Sequence, residues 1–230
     1  MLNKLKQDMH SLRDQEKAKL LSGFFKTGEG QYGEGDIFLG ITVPNQRELA
    51  KKYSDLDLED IQKLLESKIH EERLIALLIL IINYKKSEDK KEIFDFYLKN
   101  TKNINNWDLV DLSAPNIIGS YLIDKDKNIL YKLAKSKNLW EKRIAIISTF
   151  AFIKENSFKD ALEISKILIE DKHDLIHKAV GWMLREVGKK NQEAEEDFLK
   201  QHYKKMPRTM LRYSIEKFDE PKRKFYLAKN

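Results

Sequence analysis

An all-α fold, built as a solenoid of paired helices, is what this sequence predicts, and three observations predict it. Apolar residues recur at helical spacing almost throughout, and no convincing alternating strand interrupts them. Only 4 prolines and 9 glycines occur in 230 residues, while Lys, Glu, Leu and Ile dominate, a composition that favours helix. Helices led by Arg73, Asp108, Arg143, Lys178 and Arg212 follow one another at intervals of 35, 35, 35 and 34 residues, each alternating with a second helix. A period near 35 with two helices per unit marks arrays in which each pair buries its apolar face against the next.

The elements follow in order. The first two helices fit residues 2–12 and 15–26, the first carrying Leu2, Leu5, Met9 and Leu12 on one face. A glycine-rich stretch, 27–36, follows and reads as a mobile loop. Pro44 opens a short helix to Tyr53, as suits a residue whose missing N–H is harmless in a first turn. Asp57 caps the next, which runs to Glu66. Further helices fit 70–85, 89–99, 106–113, 115–122, 127–135 and 140–154. The last group fits 158–170, 174–189, 193–204, 207–218 and 221–227, with Asn, Asp, Ser and Lys as stop signals between them. One domain over 1–230 is expected.

Composition excludes several classes. Cysteine is absent, which removes disulfides, thiolate zinc sites and iron–sulfur clusters and fits a reducing cytoplasm. The N-terminus is amphipathic and lacks the apolar core of a secretory signal. The longest apolar run, 74–82, is far too short to span a bilayer and reads as a buried core helix. Net charge is +6, unevenly placed: residues 200–230 hold ten Lys/Arg against three Asp/Glu, and the rest is nearly balanced. A localised basic end points to a polyanion partner; a solvated helical face is the plainer alternative.

The residues that suggest chemistry begin with Trp107 and Asp111. Four apart on a helix, they set an indole and a carboxylate side by side. A partly screened carboxylate stabilises developing positive charge and orients water, and cleavage of an N-glycosidic bond through an oxocarbenium-like state needs both. Taken alone, Asp111 is more often a surface carboxylate or a cap. Trp182, four residues after Lys178, offers a second face for a base or sugar, although core packing is the commoner fate of tryptophan. Trp140 reads as packing. Arg143 leads the next repeat and is placed to clamp a phosphate; Arg185, Arg208 and Arg212 extend a phosphate track, with salt bridges to Glu141 and Glu216 as the plainer reading.

Two patterns carry less. Gly28-Glu29-Gly30-Gln31-Tyr32-Gly33 matches a dinucleotide fingerprint, but it follows a helix rather than a strand. Glu29, Glu34 and Asp36 would also repel a pyrophosphate. His173 and His177 are four apart, yet no third ligand stands near them in the pattern, so no metal is expected.

Several stretches, in order, resemble the AlkD-like DNA alkylation repair glycosylases, which are built from HEAT-like repeats. They are Phe38-Leu39-Gly40-Ile41 with Pro44 and Arg47, then Asn106-Trp107-Asp108-Leu109-Val110-Asp111 and Leu139-Trp140-Glu141-Lys142-Arg143-Ile144-Ala145-Ile146. Lys178-Ala179-Val180-Gly181-Trp182-Met183-Leu184-Arg185-Glu186 and Met206-Pro207-Arg208-Thr209-Met210-Leu211-Arg212-Tyr213-Ser214 complete the set, which covers nearly the whole chain. The resemblance implies a right-handed α-solenoid with a basic concave face. It also implies excision of N-alkylated purines, such as 3-methyladenine and 7-methylguanine, from double-stranded DNA without a metal or other cofactor. Asp111 then matches the catalytic carboxylate, Trp107 and Trp182 the aromatic pair of the cleft, and Arg143 the arginine at the DNA backbone. Members lacking this set bind DNA without excising. The glycine-rich 27–36 loop, longer than the family pattern, is the main departure.

The chemistry fits the inventory. An N3- or N7-alkylated purine is already cationic and leaves as a neutral base, so no strong general acid is needed, and none is evident beside Asp111. No lysine is placed with these residues to form a Schiff base, so lyase activity is not expected. The sequence therefore reads as a monomeric, cytoplasmic, monofunctional glycosylase, associated with the nucleoid when bound to DNA. A non-catalytic HEAT-repeat protein that binds damaged or branched DNA is the alternative, and a protein-binding scaffold is a third.

Overall fold

The computed structural model describes residues 1–228. Among them, regular structure is helical throughout, apart from one isolated bridge between Ile37 and Ile69. The chain divides into two compact units, Met1–Leu109 and Val110–Asn230.

The first unit holds α1 (Leu2–Ser11), α2 (Gln15–Phe24), α3 (Val43–Lys52), α4 (Leu58–Leu65), α5 (His70–Lys86) and α6 (Lys90–Lys99). Its centre is α5, against which α3, α4 and α6 pack. The apolar run predicted to be core is core: Leu74 to Ile81 are all buried on this helix. Helix starts follow the expected chemistry. Asp14, Asp57 and Asp89 each accept a backbone N–H from the first turn of α2, α4 and α6, an N-cap worth about 1 kcal/mol.

The glycine-rich stretch lies outside the helices, as the sequence suggests. It is folded by turns, with Gly33 donating to the Lys26 carbonyl and Asp36 to that of Gly33. Its far end continues into Phe38–Ile41, where the buried Glu71 carboxylate accepts the amides of Leu39, Gly40 and Ile41. Gly40 has φ +84, and a Cβ there would lie 2.1 Å from the Asp14 carbonyl oxygen, so only glycine fits this turn.

The division between the units falls inside α7 (Trp107–Ser113). The second unit continues with a π-helical turn at Pro115–Gly119, then α8 (Ser120–Leu122), α9 (Asn128–Ala134), α10 (Leu139–Ser148) and α11 (Phe150–Lys154). Next come α12 (Lys159–Leu168), α13 (Asp174–Lys190), α14 (Gln192–His202), α15 (Arg208–Ser214) and α16 (Glu220–Leu227). Helix α13 is the hub, packing on α10, α12, α14 and α15. At its crossing with α15 a Cβ on Gly181 would lie 2.5 Å from the Met210 carbonyl oxygen, so glycine sets the closeness of the two helices.

Two predicted helices are interrupted. The 140–154 helix breaks at Thr149 because Ser148 and Thr149 turn their hydroxyls onto the carbonyls of Ile144 and Ile146 and compete with the backbone for them. The 207–218 helix tightens into a 3₁₀ turn at Ile215–Lys217. Among the described residues, one buried acid leaves a carboxyl oxygen without a hydrogen bond. Glu195 of α14 lies against Gly188, and burial, with the neighbouring Glu196 charge, pushes its carboxyl up to about 8.

Candidate functional site

Each repeat leader falls within the first five residues of its helix: Arg73 in α5, Asp108 in α7, Arg143 in α10, Lys178 in α13 and Arg212 in α15. The periodicity is therefore structural, and what differs is what each leader touches.

In the second unit, two of the sequence-predicted site residues come together. Arg143 Nε donates to Asp111 Oδ1 at 2.8 Å and Nη2 to Oδ2 at 2.7 Å, a two-pronged pairing that satisfies both carboxylate oxygens. The remaining terminal nitrogen of Arg143 donates to the Leu175 carbonyl at the start of α13. The Arg143 side chain is only 6% exposed and that of Asp111 18%, so the pair is shielded with the carboxylate as its more accessible member. Arg143 thus holds Asp111 in place.

Trp182 is half-buried on α13. Its indole N–H donates to Glu186 one turn on, and its ring lies 6.0 Å from that of Phe150. Arg185 is held by Glu216, the partner the plainer reading names, and by Glu186. Arg208 is exposed and donates to the Leu227 carbonyl, and Arg212 is exposed. The two histidines serve helix α13. His173 Nδ1 accepts the Leu175 amide as its cap, and His177 hydrogen bonds to the Asp171 carbonyl. Among the described residues no group of His, Cys, Asp and Glu is arranged to hold a metal ion.

In the first unit, Trp107 is half-buried in an aromatic stack. Its indole lies parallel to Phe25 at 5.2 Å, and Phe25 in turn stacks on Phe38 at 5.1 Å. Phe24, largely exposed, meets Trp107 edge-on at 5.9 Å. Trp140, in contrast, is buried in its own unit as packing.

Beneath this stack lies a cluster that sequence reasoning missed. His70, buried at the start of α5, has Nε2 2.8 Å from Asp108 Oδ2 and Nδ1 3.3 Å from Asp36 Oδ2. Arg73 Nη2 donates to the same Asp36 oxygen at 2.6 Å. Burial opposes charge on His70, but its hydrogen bonds to Asp108 and Asp36 outweigh it and raise the imidazole pKa. Burial likewise works against the Asp36 carboxylate, and His70 and Arg73 overcome it and lower its pKa. The signal was present: Arg73 and Asp108 both lead repeats, and His70 sits three residues before Arg73 on one helix face. An apolar cavity of about 320 Å³ opens beside the cluster, lined by Leu20, Phe24, Phe38, Val43, His70 and Asp108 among others.

With this geometry in place, comparison with known proteins gives a clear result. A family model described as DNA alkylation repair enzyme matches residues 5–218. The chain belongs to the DNA alkylation repair enzyme family. Among solved structures, it is similar to one described as a predicted DNA alkylation repair enzyme from Enterococcus faecalis. The two share 16% identity and a TM-score of 0.70 over 90% of this chain and 97% of the other. It is also similar to AlkD2 from Streptococcus mutans, at 20% identity and a TM-score of 0.59 over 90% and 99% of the two chains. The smu.31 protein from Streptococcus mutans UA159 matches at 22% identity and a TM-score of 0.57 over 77% and 93%. At these identities the likeness is one of fold, and it places the chain among helical repeat proteins of the AlkD type. No curated protein sequence matches. Among the described residues no helix is long and apolar enough to cross a membrane.

Proposed function

We propose that this member of the family is a monofunctional DNA glycosylase that releases cationic N-alkylated purines, such as 3-methyladenine and 7-methylguanine, from double-stranded DNA. The observation that carries this reading is the Asp111–Arg143 pair. A half-shielded carboxylate with both oxygens fixed by one guanidinium is ionised and oriented, as a group facing a sugar cation must be.

The reaction balances with the chain's own residues. The bond from C1′ of the sugar to the alkylated ring nitrogen breaks, and its electron pair leaves with the base, cancelling that base's positive charge. The sugar is left electron-poor, and Asp111 stabilises it and positions the water that adds to C1′. The water's proton departs and an abasic site remains. Trp107 in the first unit and Trp182 in the second each offer a stacking face to a base or sugar. Arg212 and Arg208, both exposed, are the readiest phosphate contacts, with Arg185 beside them and Arg143 joining when the Asp111 pairing opens. The protein works as a monomer in the cytoplasm, on the nucleoid.

One observation favours the alternative, a DNA-binding member without excision: paired with Arg143, Asp111 is electrically neutralised, as a purely structural ion pair would be. Base release from methylated duplex DNA decides between them. Wild type should liberate 7-methylguanine and Asp111→Asn should not, with duplex affinity retained. Tight binding without release by wild type overturns the glycosylase reading. Affinity for plain duplex that barely changes with salt overturns both, because phosphate contacts release counterions.

A further inference from the structure

We propose that His70 is the positioning residue for Trp107: its imidazolium, shared between Asp36 and Asp108, fixes the start of α7 and the ring stack that carries the indole. The inference rests on the proposed role of Trp107 as a stacking face and adds a control over that same site.

Two independent connections run from His70 to Trp107. The first is through hydrogen bonds. Asp108 is the residue after Trp107, and its two oxygens are divided between the fold and the histidine. Oδ1 accepts the Leu109 amide at 2.9 Å, while Oδ2 lies 2.8 Å from His70 Nε2. One residue earlier, Asn106 is fully buried and its Oδ1 accepts the Trp107 amide at 2.8 Å. The first turn of this seven-residue helix is thereby tied to α5 through His70. A helix so short has little stability of its own, so its start lies where its tethers hold it.

The second connection is through rings. The His70 imidazole stacks on Phe38 at 4.6 Å and lies 5.0 Å from Phe25, which also stacks on Trp107. Aromatic pairs of this kind prefer a narrow set of orientations, so a tilt of the imidazole is passed to Phe25 and from there to the indole.

The ring's charge follows from its partners. A neutral imidazole carries one N–H and can donate to only one of two carboxylates, whereas an imidazolium serves both. The charged groups around it come from four elements. Asp36 approaches from the glycine-rich segment and Asp108 from α7; Arg73 shares its own helix, 3.5 Å from Nδ1. Glu71 is also adjacent, but its carboxylate is spent on the amides of residues 39–41. Lys17 of α2 lines the cavity beside the ring. Two aspartates against one arginine favour the imidazolium, in the same direction as the raised pKa. Because the folded value lies above the ordinary one of 6.5, the stabilisation is complete below that value and is lost as pH rises through the folded pKa. Deprotonation frees one carboxylate, loosens the start of α7 and lets the indole reorient.

Three tryptophans make this testable by ¹⁹F resonance of protein labelled with 5-fluorotryptophan, and the five histidines by their ring carbon signals. The Trp107 resonance should move with pH at the same midpoint as the His70 ring, while Trp140 and Trp182 stay still. Asp36→Asn should lower both midpoints together, and His70→Gln should abolish the Trp107 titration. A Trp107 resonance that ignores the His70 titration, or that is unchanged in His70→Gln, overturns the proposal. If His70→Gln does not fold, the Asp36→Asn midpoints decide alone. In single-turnover base release from 7-methylguanine duplex, the rate should fall roughly tenfold as His70 deprotonates, with duplex affinity unchanged, and His70→Gln should flatten that limb. A wild type that releases no base overturns the glycosylase reading while the resonance experiment still judges the positioning role.

Discussion

Replacing Asp111 with Asn tests the catalytic reading, and the size of the effect follows from the charges at the site. A carboxylate about 4 Å from the sugar cation, at an effective dielectric near 20, gains about 4 kcal/mol, which is roughly a thousandfold in rate. If Arg143 stays paired, its positive charge lies beyond the carboxylate, about 8 Å from the cation, and opposes by about 2 kcal/mol. The net gain is then about 2 kcal/mol, or roughly thirtyfold. Asp111→Asn removes the carboxylate's share and leaves Arg143 in place, so a loss near a thousandfold is expected whether or not the pair stays closed. A loss well short of that refutes a carboxylate in contact with the sugar cation.

Stability must be measured beside it. Arg143 is almost fully enclosed, and Asn offers it one acceptor where Asp offered two charged ones. Removing one member of a buried pair costs about 3 to 5 kcal/mol when nothing replaces it, so the retained amide oxygen brings the expected cost to about 1 to 3 kcal/mol. For a chain of this size that is a fall in melting temperature of about 2 to 10 °C. The assay is single-turnover release at saturating protein well below the variant's melting point, with duplex affinity followed by anisotropy. Wild-type release by Asp111→Asn refutes the catalytic assignment. Parallel loss of release and affinity refutes it too, because it marks Asp111 as structural.

Further outcomes are expected. Arg212→Ala should lower the slope of log affinity against log salt by about 0.9; Arg143→Ala should change that slope less but the melting temperature more, and the reverse pattern would show that Arg143 faces phosphate. The raised carboxyl of Glu195, about 8 against an ordinary 4.5, favours the protonated form in the fold. Its contribution is harmless below the unfolded value and erodes stability as pH rises towards 8, by about 3 kcal/mol near neutrality at 1.36 kcal/mol per unit. Glu195→Gln should therefore gain melting temperature over wild type increasingly with pH, and a constant difference would refute the burial argument. Gly181→Ala should destabilise by about 1 to 3 kcal/mol by pushing α13 from α15, whereas Gly23→Ala, with nothing within 4 Å of the added carbon, should stabilise slightly; calorimetry reads both.

Local order was legible where a residue acts on its own neighbours. Asp57 caps α4 as its position implies, and the start of α5 at His70 follows from the apolar run behind it. The break at Thr149 was hidden because apolar spacing continues through it, and only the hydroxyls of Ser148 and Thr149 reveal the competition for carbonyls. The glycine-rich segment hid its anchor for a related reason. Its composition describes a flexible chain, but its fate is decided by Asp36 reaching residues 34 and 37 positions away. At the candidate site, sequence marked Asp111 and Arg143 separately and could not show that they face each other. An arginine leading a helix suits a phosphate and a carboxylate equally, and the choice depends on a partner 32 residues distant.

The repeat itself gains a physical meaning from this comparison. Arg73 and Arg143, two leaders of the periodic series, each grip an aspartate contributed by an earlier segment, Asp36 and Asp111 respectively. Part of the 35-residue register is thus a recurring pin within each unit rather than a track laid for phosphates. Asp36 and Asp111 stand 37 and 32 residues before their arginines, and their surroundings differ. Asp36 is nearly sealed and shares its charge with both Arg73 and His70, so its surroundings neutralise it in every direction. Asp111 is gripped by Arg143 and keeps part of its carboxylate open to solvent. A carboxylate stabilises an incoming cation best where the cation can reach it, and Asp111, 18% exposed against 6% for Asp36, is the more reachable of the two.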